Sequence, residues 1–169
     1  MVRSSESEAG LDTSTTEAAG APLQPRRLLS RGPDDTARIG WGIGARLRPG
    51  DCLALEGGLG SGKTTLTQGI VAGAGGGEDV RSPTFLLHAV HPGRVTVHHL
   101  DLYRLPQTAD LRALGLDEFL EEGAAVVEWA ERTSREWFNG VIRIAVLGPT
   151  DREFRLSLPA HLVEPAPDA

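Results

Sequence analysis

The chain has 169 residues, 40% hydrophobic and 24% charged, with a formal net charge of −6. That composition reads as one globular domain with a sizeable core. It offers no Lys/Arg-rich run to follow a nucleic-acid backbone, and its single cysteine, Cys52, excludes an internal disulfide.

Residues 1–26 are rich in Ser, Thr, Ala, Gly and acids without a period, which predicts a disordered tail. Residues 161–169, ending Glu164-Pro165-Ala166-Pro167-Asp168-Ala169, read as a frayed C-terminus. The N-terminus lacks the apolar core of a secretory signal. No apolar run approaches the ~18 residues of a membrane span. A cytoplasmic location and no membrane partner are expected.

The domain is expected over 27–160. Arg27-Leu28-Leu29-Ser30 suits a short first strand. Pro33-Asp34-Asp35-Thr36 joins a proline, acids and a capping type, a helix-start signal. Ile39, Ile43 and Leu47 then recur at fours, and Pro49-Gly50 stops the helix. Asp51 to Glu56 is a short apolar strand, and in it Cys52 reads as a small buried hydrophobe.

The strand feeds Gly57-Gly58-Leu59-Gly60-Ser61-Gly62-Lys63-Thr64-Thr65, which contains G-x-x-x-x-G-K-[ST]. Glycines let successive backbone N–H groups turn inward as an anion-binding nest. The following helix aims its positive end at the same oxygens. Lys63 would reach the β- and γ-phosphates, and the Thr64 hydroxyl would ligate Mg²⁺. Glycine is abundant, so the lysine carries the signal: of 17 Lys and Arg residues, Lys63 alone is lysine. The chain keeps a compact ammonium where it differs from a guanidinium fork.

The helix is expected over Lys63 to Ala74, with Leu66, Ile70, Val71 and Ala74 buried, although its Thr and Gly content is poor for a helix. Ser82-Pro83-Thr84-Phe85 leads into a predicted strand through Leu86 to Val90, and His91-Pro92-Gly93 turns it back along Val95 to Leu100. Leu111, Leu114, Leu116, Phe119 and Leu120 mark helical segments. Ala124 to Val127 is a buried strand, and Val141–Val146 with Phe154–Leu158 form a closing antiparallel pair. The alternation predicts an α/β three-layer fold, with a mixed, mostly parallel central sheet and antiparallel additions.

Ligands of such sheets bind at the carboxyl ends of the strands. Two runs end there in an acid, Asp101 and Glu128. Each has the form of a Walker B strand, and pattern alone does not rank them. One acid would hold Mg²⁺ and one would orient water. His98 and His99 lie next to Asp101, and a fully buried strand would resist two histidines. They point to opposite faces and cannot share an ion from one side. Thr84 suits a segment that senses the γ-phosphate, and equally an ordinary strand entry.

Read together, these motifs resemble the TsaE (YjeE) family of bacterial P-loop ATPases. The resemblance rests on the Gly57–Thr65 loop, Ser82-Pro83-Thr84-Phe85, His99-Leu100-Asp101-Leu102-Tyr103-Arg104-Leu105 and Val127-Glu128-Trp129 in that order. Asp35-Thr36 and Leu114 to Phe119 fit as well. The chain departs from the family at Gly58, in place of an acid, at Ser61 and at Leu100.

The resemblance implies an ATP- and Mg²⁺-dependent ATPase, slow alone and stimulated by a TsaB–TsaD pair. It would support threonylcarbamoyladenosine modification of tRNAs that read codons starting with A. It implies no direct tRNA contact, in keeping with the acidic charge. By carry-over, Lys63, Asp101 and Glu128 are catalytic. Thr64 and Glu128 ligate Mg²⁺, and Asp101 positions water or the metal shell. Thr36 and Arg152 lie near nucleotide contacts, and Trp129 packs by the site. A GTPase would want N-K-x-D, which a chain with one lysine cannot supply. A small-molecule kinase and an ATP-gated binding module remain the alternatives.

Overall fold

The computed structural model describes residues 25–77 and 79–163. Residues 1–24 and 164–169 of the expected tails lie outside the described residues. Seven strands form one sheet: β1 (Arg26–Ser30), β2 (Cys52–Glu56), β3 (His88–His91), β4 (Thr96–Asp101), β5 (Gly123–Glu128), β6 (Gly140–Val146) and β7 (Arg152–Ser157). Their spatial order is β1-β7-β6-β2-β5-β4-β3. The four central strands β6-β2-β5-β4 are parallel, and each edge is finished by antiparallel pairing. This is the expected mixed sheet.

Helices α1 (Pro33–Gly44) and α2 (Lys63–Gly73) cover one face. Their core joins Leu47, Leu66, Ile70 and Val71 to Leu53, Leu55, Val97, Val126 and Phe154 of the sheet. The other face is covered by a short helical turn, Arg112–Leu114, and by α3 (Leu116–Glu122), over Cys52, Ala54, Leu100, Ala125 and Val127. β5 is buried along its whole length, as expected for a continuous apolar run between two layers. Burial pushes the Cys52 thiol up to about 12, with the Asp51 charge adding to it, so Cys52 is an inert core residue.

The composition of α2 is explained by its neighbour. A Cβ at Gly69 would strike the Ala37 carbonyl, and one at Gly73 would strike the Trp41 carbonyl. On α1, Gly40 and Gly44 in turn face the carbonyls of Leu66 and Ile70. Two i,i+4 glycine pairs let the helix backbones touch, so packing holds α2 where propensity would not. The first helix ends at Gly44, earlier than Pro49-Gly50 suggested. Leu47 still reaches the core from the turns that follow.

Two expectations need correction. The segment after Pro83 is a turn and not a strand: the N–H groups of Leu86 and Leu87 donate to the Pro83 carbonyl, and Leu87 has φ of 67°. Phe85 and Leu86 are therefore exposed, and pairing begins only at His88. Ser82 and Thr84 are tied to Asp101, and this overrides the strand preference of Phe85-Leu86-Leu87. At the C-terminal end, Ala160–Val163 forms a helical turn, α4, and Leu162 is buried in the α1 core, so the domain extends past 160. Among the described residues, no helix is long and apolar enough to cross a membrane.

Candidate functional site

The site lies where β2, β4 and β5 end. The chain leaves β2 through the glycine loop, with Gly60 at φ 71° and Gly62 at φ 102°, both in the left-handed region where a Cβ is strained. Gly57 is needed for another reason: a Cβ there would meet Ser61 Oγ at 2.6 Å and the Ile144 carbonyl at 3.0 Å. Gly62 precedes α2, whose N-terminus has no side-chain cap. Its leading N–H groups and dipole form the anion end of the site.

Lys63 is buried, and its Nζ donates to the carbonyls of Gly57 (2.7 Å) and Gly58 (2.9 Å). The ammonium also lies 4.0 Å from the Trp129 ring centroid, a cation–π contact. Burial pulls its pKa below the ordinary value, opposed by the charges of Glu128, Glu131 and Asp101. Trp129 takes its place from the backbone, in the left-handed region at φ 58°, directly after β5. It packs against Tyr103 with ring centroids 4.9 Å apart. Trp129 thus borders the site, as the resemblance implied.

The two strand-end acids are neighbours. β4 and β5 run in parallel register with Asp101 opposite Glu128, and both are buried. The Thr64 hydroxyl donates to Glu128, 3.2 Å from Oε1 and 3.3 Å from Oε2. His99 Nε2 lies 2.8 Å from Glu128 Oε1. Asp101 has a separate set of partners. Its Oδ2 accepts from Ser82 and Thr84, each at 2.6 Å, and its Oδ1 accepts from the Tyr103 N–H at 2.9 Å. The Ser82 and Thr84 hydroxyls are 2.8 Å apart.

A cleft of about 420 Å³ is bounded by the loop, Thr64, Thr84, Asp101, Glu128 and Trp129. A smaller one of about 160 Å³ lies beyond the loop, between Pro33 and Thr36 on one side and Pro149 and Arg152 on the other. Gly60, Gly62 and Thr65 border both, so the two flank the loop. Thr36 is buried there, its hydroxyl 2.9 Å from Ser30 Oγ. Arg152 braces the loop: its guanidinium donates to the carbonyls of Ser61 (3.0 Å) and Gly60 (3.2 Å), and to that of Gly148 (2.9 Å).

Leu59 to Thr65, Thr84, Asp101 and Glu128 line the larger cleft, Thr36 and Arg152 line the smaller, and the carbonyls of Gly57 and Gly58 meet the site through Lys63. Thr64 and Glu128 bring hard oxygen donors together beside the anion end of α2. That donor set suits Mg²⁺ and does not suit a soft metal. His99 was missed. Its signal was available: it stands two residues before Asp101, so strand alternation puts it on the same face. Ser82, two residues before Thr84, was missed as a partner of Asp101.

A family described as "Threonylcarbamoyl adenosine biosynthesis protein TsaE" matches residues 30–154. The tRNA threonylcarbamoyladenosine biosynthesis protein TsaE of Treponema pallidum is 38% identical over 134 residues, covering 78% of this chain and 99% of that protein. The TsaE of Bacillus subtilis is 39% identical over 127 residues, 72% of this chain and 78% of that one. The crystal structure of B. subtilis YdiB superposes with a TM-score of 0.64 at 29% identity, covering 83% of this chain and 90% of that chain. All four motifs of the site fall within the matched span, and the chain belongs to the TsaE family.

Proposed function

We propose that this protein is a Mg²⁺-dependent ATPase that supports threonylcarbamoyladenosine modification of tRNA in complex with a TsaB–TsaD pair. The observation that carries the reading is the Thr64–Glu128 hydrogen bond beside Lys63 on the glycine loop. It gathers a metal's oxygen donors and a phosphate's cation in one cleft. Family membership supplies the pathway.

The chain's own groups divide the work. The α2 N-terminus and loop N–H groups hold the β- and γ-phosphates. Lys63 exchanges the Gly57 and Gly58 carbonyls for phosphate oxygens and offsets charge at the leaving group. Thr64 and Glu128 would hold Mg²⁺, which would neutralise phosphate charge as it develops. Asp101, tied by Ser82 and Thr84, orients water in line with the γ-phosphorus. Water adds to phosphorus, the bond to the β-phosphate oxygen breaks, and ADP, phosphate and one proton leave. Thr84 would reach the γ-phosphate by giving up Asp101, which would link the 83–87 turn, with Phe85 and Leu86 exposed on it, to the state of the nucleotide.

Two features support action through protein partners. Leu59 on the cleft, and Phe85 and Leu86 directly after Thr84, are each at least 80% exposed, and exposed apolar groups near a site mark docking surfaces. The net charge of −6 disfavours direct contact with tRNA. Phosphate release with and without a purified TsaB–TsaD pair tests the reading. Stimulated release of free phosphate supports it. Transfer of the phosphoryl group to a metabolite would make the protein a kinase, and partner function without turnover would make it a binding module.

A further inference from the structure

We infer that His99 is a positioning residue that orients the Glu128 carboxylate for the metal; the inference rests on the site reading above. Strand alternation places Val97, His99 and Asp101 on one face of β4, and His98 and Leu100 on the other. His99 pairs with Val126 of β5, so Glu128, two residues further, is its diagonal neighbour on the same face. The ring is fully buried.

The 2.8 Å contact has one chemical sense. A carboxylate only accepts, so Nε2 carries the proton and donates to Oε1. The other nitrogen points the same way: among the described residues Nδ1 is buried without a hydrogen-bond partner, and a proton there would be orphaned. The tautomer is thereby fixed toward Glu128. Thr64 donates to the same carboxylate from α2, so Glu128 is held from two elements. Asp101, on the same face, is held by other groups and does not depend on His99. A core histidine with no such task could satisfy itself on any backbone carbonyl. This one takes the acid that faces Thr64.

Two substitutions separate orientation from burial. His99→Gln and His99→Asn both place an amide in the pocket. The longer side chain carries its N–H to about where Nε2 stands, and the shorter one stops at the Nδ1 level. The readout is the affinity of the full-length protein for a fluorescent ADP analogue, with Mg²⁺ and with EDTA. Thermal unfolding shows that each variant is folded. The parent binds more tightly with Mg²⁺. His99→Asn loses about tenfold of that gain while its metal-free affinity is unchanged. His99→Gln recovers most of it. An equal Mg²⁺ gain in His99→Asn and the parent overturns the inference, as does an equal loss in both variants or a parallel loss with and without metal. A parent that gains nothing from Mg²⁺ would instead bring down the site reading on which the inference stands.

Discussion

Asp101 and Glu128 end adjacent parallel strands in direct register, yet among the described residues share no hydrogen-bond partner. Glu128 is held by Thr64 of α2 and by His99, whereas Asp101 is held by Ser82, Thr84 and the Tyr103 N–H. The partners also aim them differently, one toward Thr64 and one toward the 82–87 turn.

That division predicts separable losses. Glu128→Ala weakens Mg²⁺-dependent turnover more than nucleotide binding. Asp101→Asn keeps the Mg²⁺ gain in ADP affinity and lowers turnover by about 100-fold. Mg²⁺ titrations of both variants check it, and matching curves for Glu128→Ala and the parent would remove Glu128 from the metal shell.

The exposed turn gives a second prediction. Phe85 and Leu86 are largely exposed and line neither cleft, Phe85 meeting the Arg104 guanidinium 4.2 Å from its ring centroid, so Phe85→Ser with Leu86→Ser should leave ADP affinity and unfolding temperature unchanged. The partner-stimulated rate should fall by about tenfold. Rates measured against partner concentration decide this, and full stimulation of the double variant would move the docking surface elsewhere.

Gly58 departs from the family's acid, and the structure shows that space is not the reason. A Cβ there meets nothing within 4 Å, and the residue lies outside the left-handed region. Gly58→Glu should fold with unchanged stability. Its carboxylate would compete for Lys63, whose Nζ lies 2.9 Å from the Gly58 carbonyl. ADP affinity should drop by about threefold at low salt and by less at high salt. Calorimetry at two ionic strengths measures both.

The β3–β4 edge predicts an acid-sensitive stability. His88 and His98 meet ring to ring at 3.0 Å (Nε2 to Nδ1), and both stack on Phe119. Burial first, then the neighbouring imidazoles, lowers the pKa of His88, His91 and His98 below 6.5. Unfolded imidazoles titrate near the ordinary value, so just below it the unfolded chain binds more protons and acid favours unfolding. The stability is intact above 6.5 and is lost as pH falls toward the folded values. Melting curves from about pH 7.5 to about pH 5.5 should decline, and His88→Gln with His98→Gln should flatten them.

Much of this site could be read from the sequence because its chemistry tolerates few alternatives. The glycine loop, the lone lysine and two strand-end acids are each fixed by spacing. Parallel register then brings Asp101 and Glu128 together without further information. What escaped was set by tertiary contacts. Two adjacent histidines looked too polar for a buried strand, yet His99 is fully buried with its Nε2 hydrogen-bonded to Glu128. Leu86 and Leu87 looked like a strand, yet Ser82 and Thr84 pull that stretch into a turn on Asp101. The terminal turn at Ala160–Val163 is too short for any period to announce, and Leu162 forms it by docking on α1. Arg152 braces the loop through the carbonyls of Ser61 and Gly60, a role no motif encodes.

The central claim is that Lys63 serves hydrolysis of ATP that is stimulated by partners. Phosphate release by the parent and by Lys63→Ala, each with and without a TsaB–TsaD pair, tests it most directly. The account predicts slow release by the parent alone, faster release with the pair, and a loss of about 100-fold or more in Lys63→Ala under both conditions. Stimulated release by Lys63→Ala at the parent's rate would contradict it.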